Sequence, residues 1–174
     1  MSIYNLTSPF QDNDLAKLKA GDTVYISGIV YAARDAAHKR MLEILQHGEA
    51  APFDLEGQTI YYMGPTPTRP GNIIGSCGPT TSSRMDKYTS VLLKQGLKAV
   101  IGKGQRSYDV NNELRKHRAV YFVALGGCGA LAAQSVQSCC VVAYEDLTVE
   151  AILRLEVKNM QVIVALDYAG SSIF

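Results

Sequence analysis

The residues best equipped for chemistry lie between Gly64 and Asp86, in the stretch GPTPTRPGNIIGSCGPTTSSRMD. It holds four of the six prolines and four of the fifteen glycines, with two arginines, many hydroxyls and no carboxylate before Asp86. Proline removes backbone donors and glycine removes side-chain packing, so this stretch is predicted to be a long loop. Such loops inside compact domains are more often functional than filler. Its far end, Gly75 to Arg84, reads as a glycine-rich turn running into a helix. Pro79 suits a first helical position, where a missing N–H costs nothing. Free N–H groups after Gly78 and the positive end of the helix dipole would face the loop. Thr80 and Arg84 stand four residues apart and would share a helix face. The Thr80 hydroxyl, backbone donors and a guanidinium together describe a pocket for a small oxyanion, a carboxylate or a phosphate. The plain alternative is a proline-stiffened surface loop with a capped helix.

Three further residues carry a chemical reading beside a bland one. Arg34 ends a β-rich run, and open α/β sheets bind ligands outside the carboxyl ends of their strands. It serves equally as a surface arginine pairing with Asp35, itself a candidate N-cap for the following helix. His38, inside that helix, is more often a partner or cap than a catalyst. Lys103, between Gly102 and Gly104, would bring an ammonium to a ligand or simply be a solvated turn lysine. The turn is not a P-loop, because G-x-x-x-x-G-K-[ST] is absent.

The elements that must position these groups follow from pattern. Strands are predicted over 2–6, 23–31, 58–63, 97–101, 119–125, 136–144, 155–157 and 162–167, from their apolar, β-branched and aromatic runs. Helices are predicted over 12–18, the stretch ending at Gly48, 80–94, 107–117, a short piece before Gln134, and 148–153. Gly28 is expected at a bulge or a close backbone approach. Strands alternate with helices through the middle, which favours a parallel sheet, while the strand-rich ends suggest a second, partly antiparallel one. The expectation is a layered β/β/α domain over 1–174.

Composition bounds the function. The chain of 174 residues is long enough for one core, and its net charge of +1 argues against nucleic-acid binding, which needs a basic face. No apolar run approaches a membrane span, and MSIYNLTSPF lacks the charged and apolar regions of a signal peptide. Cysteines at 77, 128, 139 and 140 lack C-x-x-C spacing, which resembles neither a zinc site nor a disulfide framework. A reduced, cytoplasmic setting is the expectation.

Four segments together carry a resemblance: ARDAAHKRM at 33–41, YYMGPTPTRPG at 61–71, GPTTSSRMD at 78–86 and IGKG at 101–104. In this order they resemble the C-terminal domain of class I iron–sulfur fumarate hydratases, a domain that forms a separate β subunit in two-component members such as L(+)-tartrate dehydratase. The resemblance runs from about residue 4 to the end. It implies a three-layer swivelling β/β/α fold with a mostly parallel central sheet and a second, partly antiparallel sheet. It also implies an α subunit that carries a 4Fe–4S cluster with one open iron, and an active site formed between the two chains. No metal ligand is expected from this chain. The family reaction is reversible addition of water to a dicarboxylate such as fumarate, giving L-malate.

By the same resemblance, Arg34 and Arg84 match substrate-binding arginines, Lys103 the lysine of the glycine turn, and Thr80 the threonine proposed as catalytic base. Asp35 and His38 belong to the ARD-x-AH motif, and Gly78, Pro79 and Thr81 to the GPTTS motif, as supporting residues. A dicarboxylate suits this set, because arginine offers a planar fork to each carboxylate. Tartrate dehydration is the rival within the enzyme class, methylfumarate a further substrate, and a stand-alone anion-binding module the rival outside it. A dimer of heterodimers is the assembly the family suggests.

Overall fold

The computed structural model describes residues 1–174. Seven strands form its framework: β1 (Ile3–Ser8), β2 (Thr23–Ala32), β3 (Thr59–Tyr61), β4 (Ala99–Gly102), β5 (Val120–Val123), β6 (Val136–Ala143) and β7 (Ile152–Leu166). Five helices accompany them: α1 (Asp12–Leu15), α2 (Asp35–Gln46), α3 (Asp86–Lys94), α4 (Tyr108–Lys116) and α5 (Gly129–Gln134).

The strand order is β1-β2-β3-β4-β5-β7-β6, with β7 also pairing β2. Strands β1 to β5 run parallel, and β7 is antiparallel to β2, β5 and β6. The parallel sheet is as expected. The separate second sheet is not found, because the antiparallel strands are hydrogen-bonded into the same sheet. Its cause is β2, which is long enough to pair β1 along Thr23–Gly28 and β3 at Tyr31 and Ala32, while its other edge takes β7. The circuit β2-β3-β4-β5-β7 therefore closes on itself.

Alternation along the strands gives that circuit two apolar faces. Ala99 and Ile101 of β4, Val120 and Phe122 of β5, and Leu153, Leu155, Val162 and Val164 of β7 fill the inner cluster. Val100, Tyr121 and Ile60 point the other way, onto Ala37 and Met41 of α2, Tyr88 and Leu92 of α3, and Val110 and Leu114 of α4. Every residue of β4 is buried, as a strand covered on both faces requires. No helix is long and apolar enough to cross a membrane.

Local expectations fare unevenly. Gly28 has φ +95, a Cβ there would overlap Ser8 O, and the β2–β7 register shifts between Ile26 and Gly28. The two predicted closing strands are one strand of 15 residues. Asn159 adopts φ 53 within it and donates its N–H to Ser27 Oγ at 3.1 Å, so the polar step Lys158–Asn159 bends β7 without ending it. The predicted helix over 148–153 is a 3-10 segment at Glu145–Glu150, and Ile152 already belongs to β7. Asp35 is the first residue of α2 rather than its cap, and Arg34 takes the capping position with extended backbone.

The helix predicted from Thr80 begins later. A 3-10 turn covers Ser82–Met85, and α3 follows from Asp86. Pro79, Thr80 and Thr81 are extended, and Met63 pairs Pro79 while Thr81 pairs Lys103. Adjacent β-branched threonines favour this extended state over a first helical turn.

Candidate functional site

The ends of three parallel strands build the site. Beyond β3, Tyr62 N still donates to Ile101 O, at 2.8 Å. Past that point the paths of β3 and β4 part, and Pro79–Thr81 enters between them. Thr80 N donates to Tyr62 O at 2.7 Å, Lys103 N to Thr80 O at 3.3 Å, and Ser82 N to Lys103 O at 2.9 Å. Thr80 is thus wedged by its backbone between the end of β3 and the Lys103 turn. It is half-buried, Lys103 is exposed, and Lys103 forms no ion pair.

The expected cradle of free backbone donors is partly occupied by the chain itself. Ser76 N donates to Thr66 Oγ1 at 2.8 Å, and Cys77 N to Gly129 O at 2.9 Å. A Cβ on Gly129 would come within 2.7 Å of Gly78 N, so the α5 turn covers that face of Gly78. Thr80 N and Ser82 N are also engaged, while Thr81 N and Ser83 N make no hydrogen bond within the chain. Thr80 and Arg84 do not share a helix face, because only Arg84 lies in the 3-10 turn.

Arg84 and Arg34 nevertheless meet. Arg84 grips Asp35 with two donors, Nε to Oδ1 at 3.0 Å and Nη2 to Oδ2 at 2.5 Å. Arg34 Nε lies 3.8 Å from the same Asp35 Oδ2, and its Nη2 lies 3.7 Å from Glu150 Oε1. Glu150 also accepts Ala36 N at 2.7 Å and so satisfies an orphan donor of α2. Arg34 Nε is buried with no hydrogen-bond partner. Its side chain runs along Gly64, where a Cβ would come 2.7 Å from Arg34 Cδ. The cluster lies open on the surface rather than in any of the molecule's cavities.

His38 supports this arrangement from below. It is fully buried, and both its backbone N (2.9 Å) and its Nδ1 (2.8 Å) reach Arg34 O. Burial pushes its pKa down to about 4, so the ring is neutral, and Nδ1 carries the proton it donates. Nε2 is left without a partner, with the ring edge-on to Tyr62 and beside Tyr88. His38 is a partner of the Arg34 backbone, the reading its position in the helix favoured.

Pattern reading missed Glu150 and a buried group around Arg106. No sequence signal marks Glu150, because its contacts join residues far apart in the chain. Arg106 had one: a second cation just beyond the glycine turn that holds Lys103. No three His, Cys, Asp or Glu side chains assemble as a metal site.

The chain matches Fumarase C-terminus over residues 2–174 and belongs to that family. It is 39% identical over 167 residues to the putative L(+)-tartrate dehydratase subunit beta of Methanocaldococcus jannaschii, covering 92% of this chain and 86% of that one. It is 35% identical to the aerobic class I fumarate hydratase of Escherichia coli, with 92% of this chain and 30% of the relative covered. Fumarate hydratase 2 of Leishmania major is 33% identical, with 92% of this chain and 28% of the relative covered. The chain thus spans most of a β subunit and about a third of the fumarate hydratases.

Proposed function

We propose that this chain is the β subunit of a two-component iron–sulfur hydro-lyase that hydrates fumarate reversibly to L-malate. The observation that carries the reading is the convergence of Arg34 and Arg84 on one carboxylate, Asp35. Two guanidiniums that reach one carboxylate are close enough to grip a small diacid. Lys103 adds a third, unpaired cation beside Thr80.

In the dehydration direction the arginines hold the diacid and Thr80 takes the proton from the carbon next to a carboxylate. In hydration the Thr80 hydroxyl returns that proton. A threonine is a weak base unless its alkoxide is stabilised, and Lys103, which forms no ion pair and whose turn is bonded to the Thr80 backbone, is the cation that would favour the ionised form. Cys77 is buried, with its thiol 3.2 Å from Gly75 O, and Cys139 and Cys140 lie on β6. By the family resemblance an α subunit would carry a 4Fe–4S cluster, which would supply Lewis acidity toward the hydroxyl group. That subunit also covers the open arginine cluster and excludes water.

Tartrate dehydration is the second reading, favoured by the relative named for it that this chain covers over 86% of its length. A stand-alone anion module has less support, because the chain matches a family whose named relatives are hydro-lyases. The test is anaerobic coexpression with a cluster-bearing α subunit, followed by assays with fumarate, malate, tartrate and methylfumarate. The complex is expected to be active and this chain alone inactive. Turnover by the isolated, metal-free chain overturns the subunit reading.

A further inference from the structure

Behind Thr80 and Lys103 lies a buried polar network centred on Arg106 and Tyr121, two residues that lie outside the quoted motifs and that the proposed chemistry does not use. Arg106 is 3% exposed and Tyr121 1%. Arg106 Nε donates to Asp86 Oδ1 at 2.6 Å, and its Nη2 to Thr89 Oγ1 at 2.7 Å. Asp86 Oδ2 accepts Ser107 N at 2.9 Å, and Thr89 Oγ1 lies 2.9 Å from Met85 O. The guanidinium sits 5.4 Å from the ring centres of both Tyr62 and Tyr121. Tyr121 Oη lies 2.6 Å from Gly104 O and 2.9 Å from Ser82 Oγ. A carbonyl only accepts, so the phenol proton goes to Gly104 and the Ser82 hydroxyl supplies the second bond. Burial raises the Tyr121 pKa to about 12, which keeps that proton in place.

These contacts tie two loops. One is the 3-10 turn Ser82–Met85, which follows Thr80 and carries Arg84. The other is the turn Gly102–Gly104, which carries Lys103. They fit closely, since a Cβ on Gly102 would overlap Ser82 Oγ. A buried arginine is costly unless fully paired, and an apolar side chain would fill the space more cheaply. Pairing here secures loop register rather than packing.

We infer that Tyr121 and Arg106 are positioning residues that lock the Lys103 turn against the segment from Thr80 to Arg84. The inference rests on the proposed function for its catalytic consequence, but the lock itself is measurable without it.

The test is Tyr121→Phe, which removes one oxygen and keeps the ring. In the complex with the α subunit, kcat is expected to fall about tenfold, the scale of one buried hydrogen bond. KM should stay within about threefold, because Asp35, Glu150 and His38 hold the arginines independently. In the isolated chain, amide exchange at Ser82 should quicken about tenfold, while Val100 in β4 keeps its protection. Arg106→Lys, which keeps the charge but loses the fork, should repeat the pattern. Unchanged exchange at Ser82, or a loss confined to KM, overturns the assignment. If Thr80→Ala and Lys103→Met complexes turn over normally, the catalytic reading fails instead, and Ser82 exchange still decides the lock.

Discussion

The two halves of the candidate site are held in opposite ways. On one side, Arg84 is hydrogen-bonded to the chain's own Asp35, and Arg34 lies within ion-pair reach of Asp35 and Glu150. On the other, Thr80 and Lys103 are fixed through their backbones, and Lys103 forms no ion pair. On the proposed function, Arg84 would exchange Asp35 for a diacid, while Thr80 and Lys103 would need no exchange. Binding and chemistry would then be separated, one half selecting by replacement of an internal carboxylate and the other presenting groups already set in place.

The largest effect should come from the half that is fixed by backbone. Thr80→Ala leaves the bonds of Thr80 N to Tyr62 and of Thr80 O to Lys103 in place, because neither uses the side chain. In the complex with an α subunit, turnover should fall about a hundred- to ten-thousand-fold, the usual range for a lost acid–base group. Substrate affinity should hold within a few-fold, since the arginines are untouched. Single-turnover kinetics with a titration of bound diacid separates the two. Near-normal turnover would remove Thr80 from the chemistry and leave this half a mere wall.

The arginine half rests on a group that titrates in mild acid, whereas the Tyr121 phenol behind the other half keeps its proton there. His38, buried and neutral, binds the Arg34 carbonyl, with its pKa pushed by burial to about 4 from 6.5. Its folded pKa lies below its unfolded one, so the unfolded chain binds more protons below pH 6.5. Stability is therefore complete above pH 6.5 and drains away as pH falls toward 4. The loss from this group approaches about 3 kcal/mol at the acid end. Urea unfolding from pH 7.5 to 4.5 should show this fall, and His38→Gln should flatten it whatever its own stability. Parallel curves for the two proteins would mean that His38 is not held neutral.

Much of the frame was legible because its signals are local. The buried runs of β4 and β5 and the periodic faces of α2 and α4 announce themselves within a few residues. Gly28 likewise signals the close passage of β1. What was not legible depends on partners distant in sequence. Pro79 and Thr80 look like a helix start, and only the diverging ends of β3 and β4 make them a strand insertion. Lys158–Asn159 looks like a break, and only β2 carries β7 across it. The sequence pointed to Arg34 and Arg84 and offered Asp35 as a partner for Arg34, but not as the carboxylate that Arg84 also holds. That carboxylate depends on the late helix start, which sets Arg84 beside α2 rather than above Thr80.

Asp35 gives the subtlest way to break the contrast between the halves. Its carboxylate occupies the Arg84 donors that a diacid would need, and it lies within ion-pair reach of Arg34. Asparagine keeps the size and one acceptor oxygen but removes the charge. The pair is partly exposed, with side-chain exposures of 48% for Arg84 and 31% for Asp35, so its net worth is at most about 1 kcal/mol. If Asp35 is a competitor, Asp35→Asn should lower KM for the diacid by about two- to fivefold and leave kcat unchanged. A non-reacting diacid inhibitor should tighten by the same factor, because it meets the same freed guanidinium. A rise in both constants would mean that Asp35 aims Arg84 rather than occupying it. Both halves would then be prearranged, and substrate would bind beside the internal carboxylate instead of in its place.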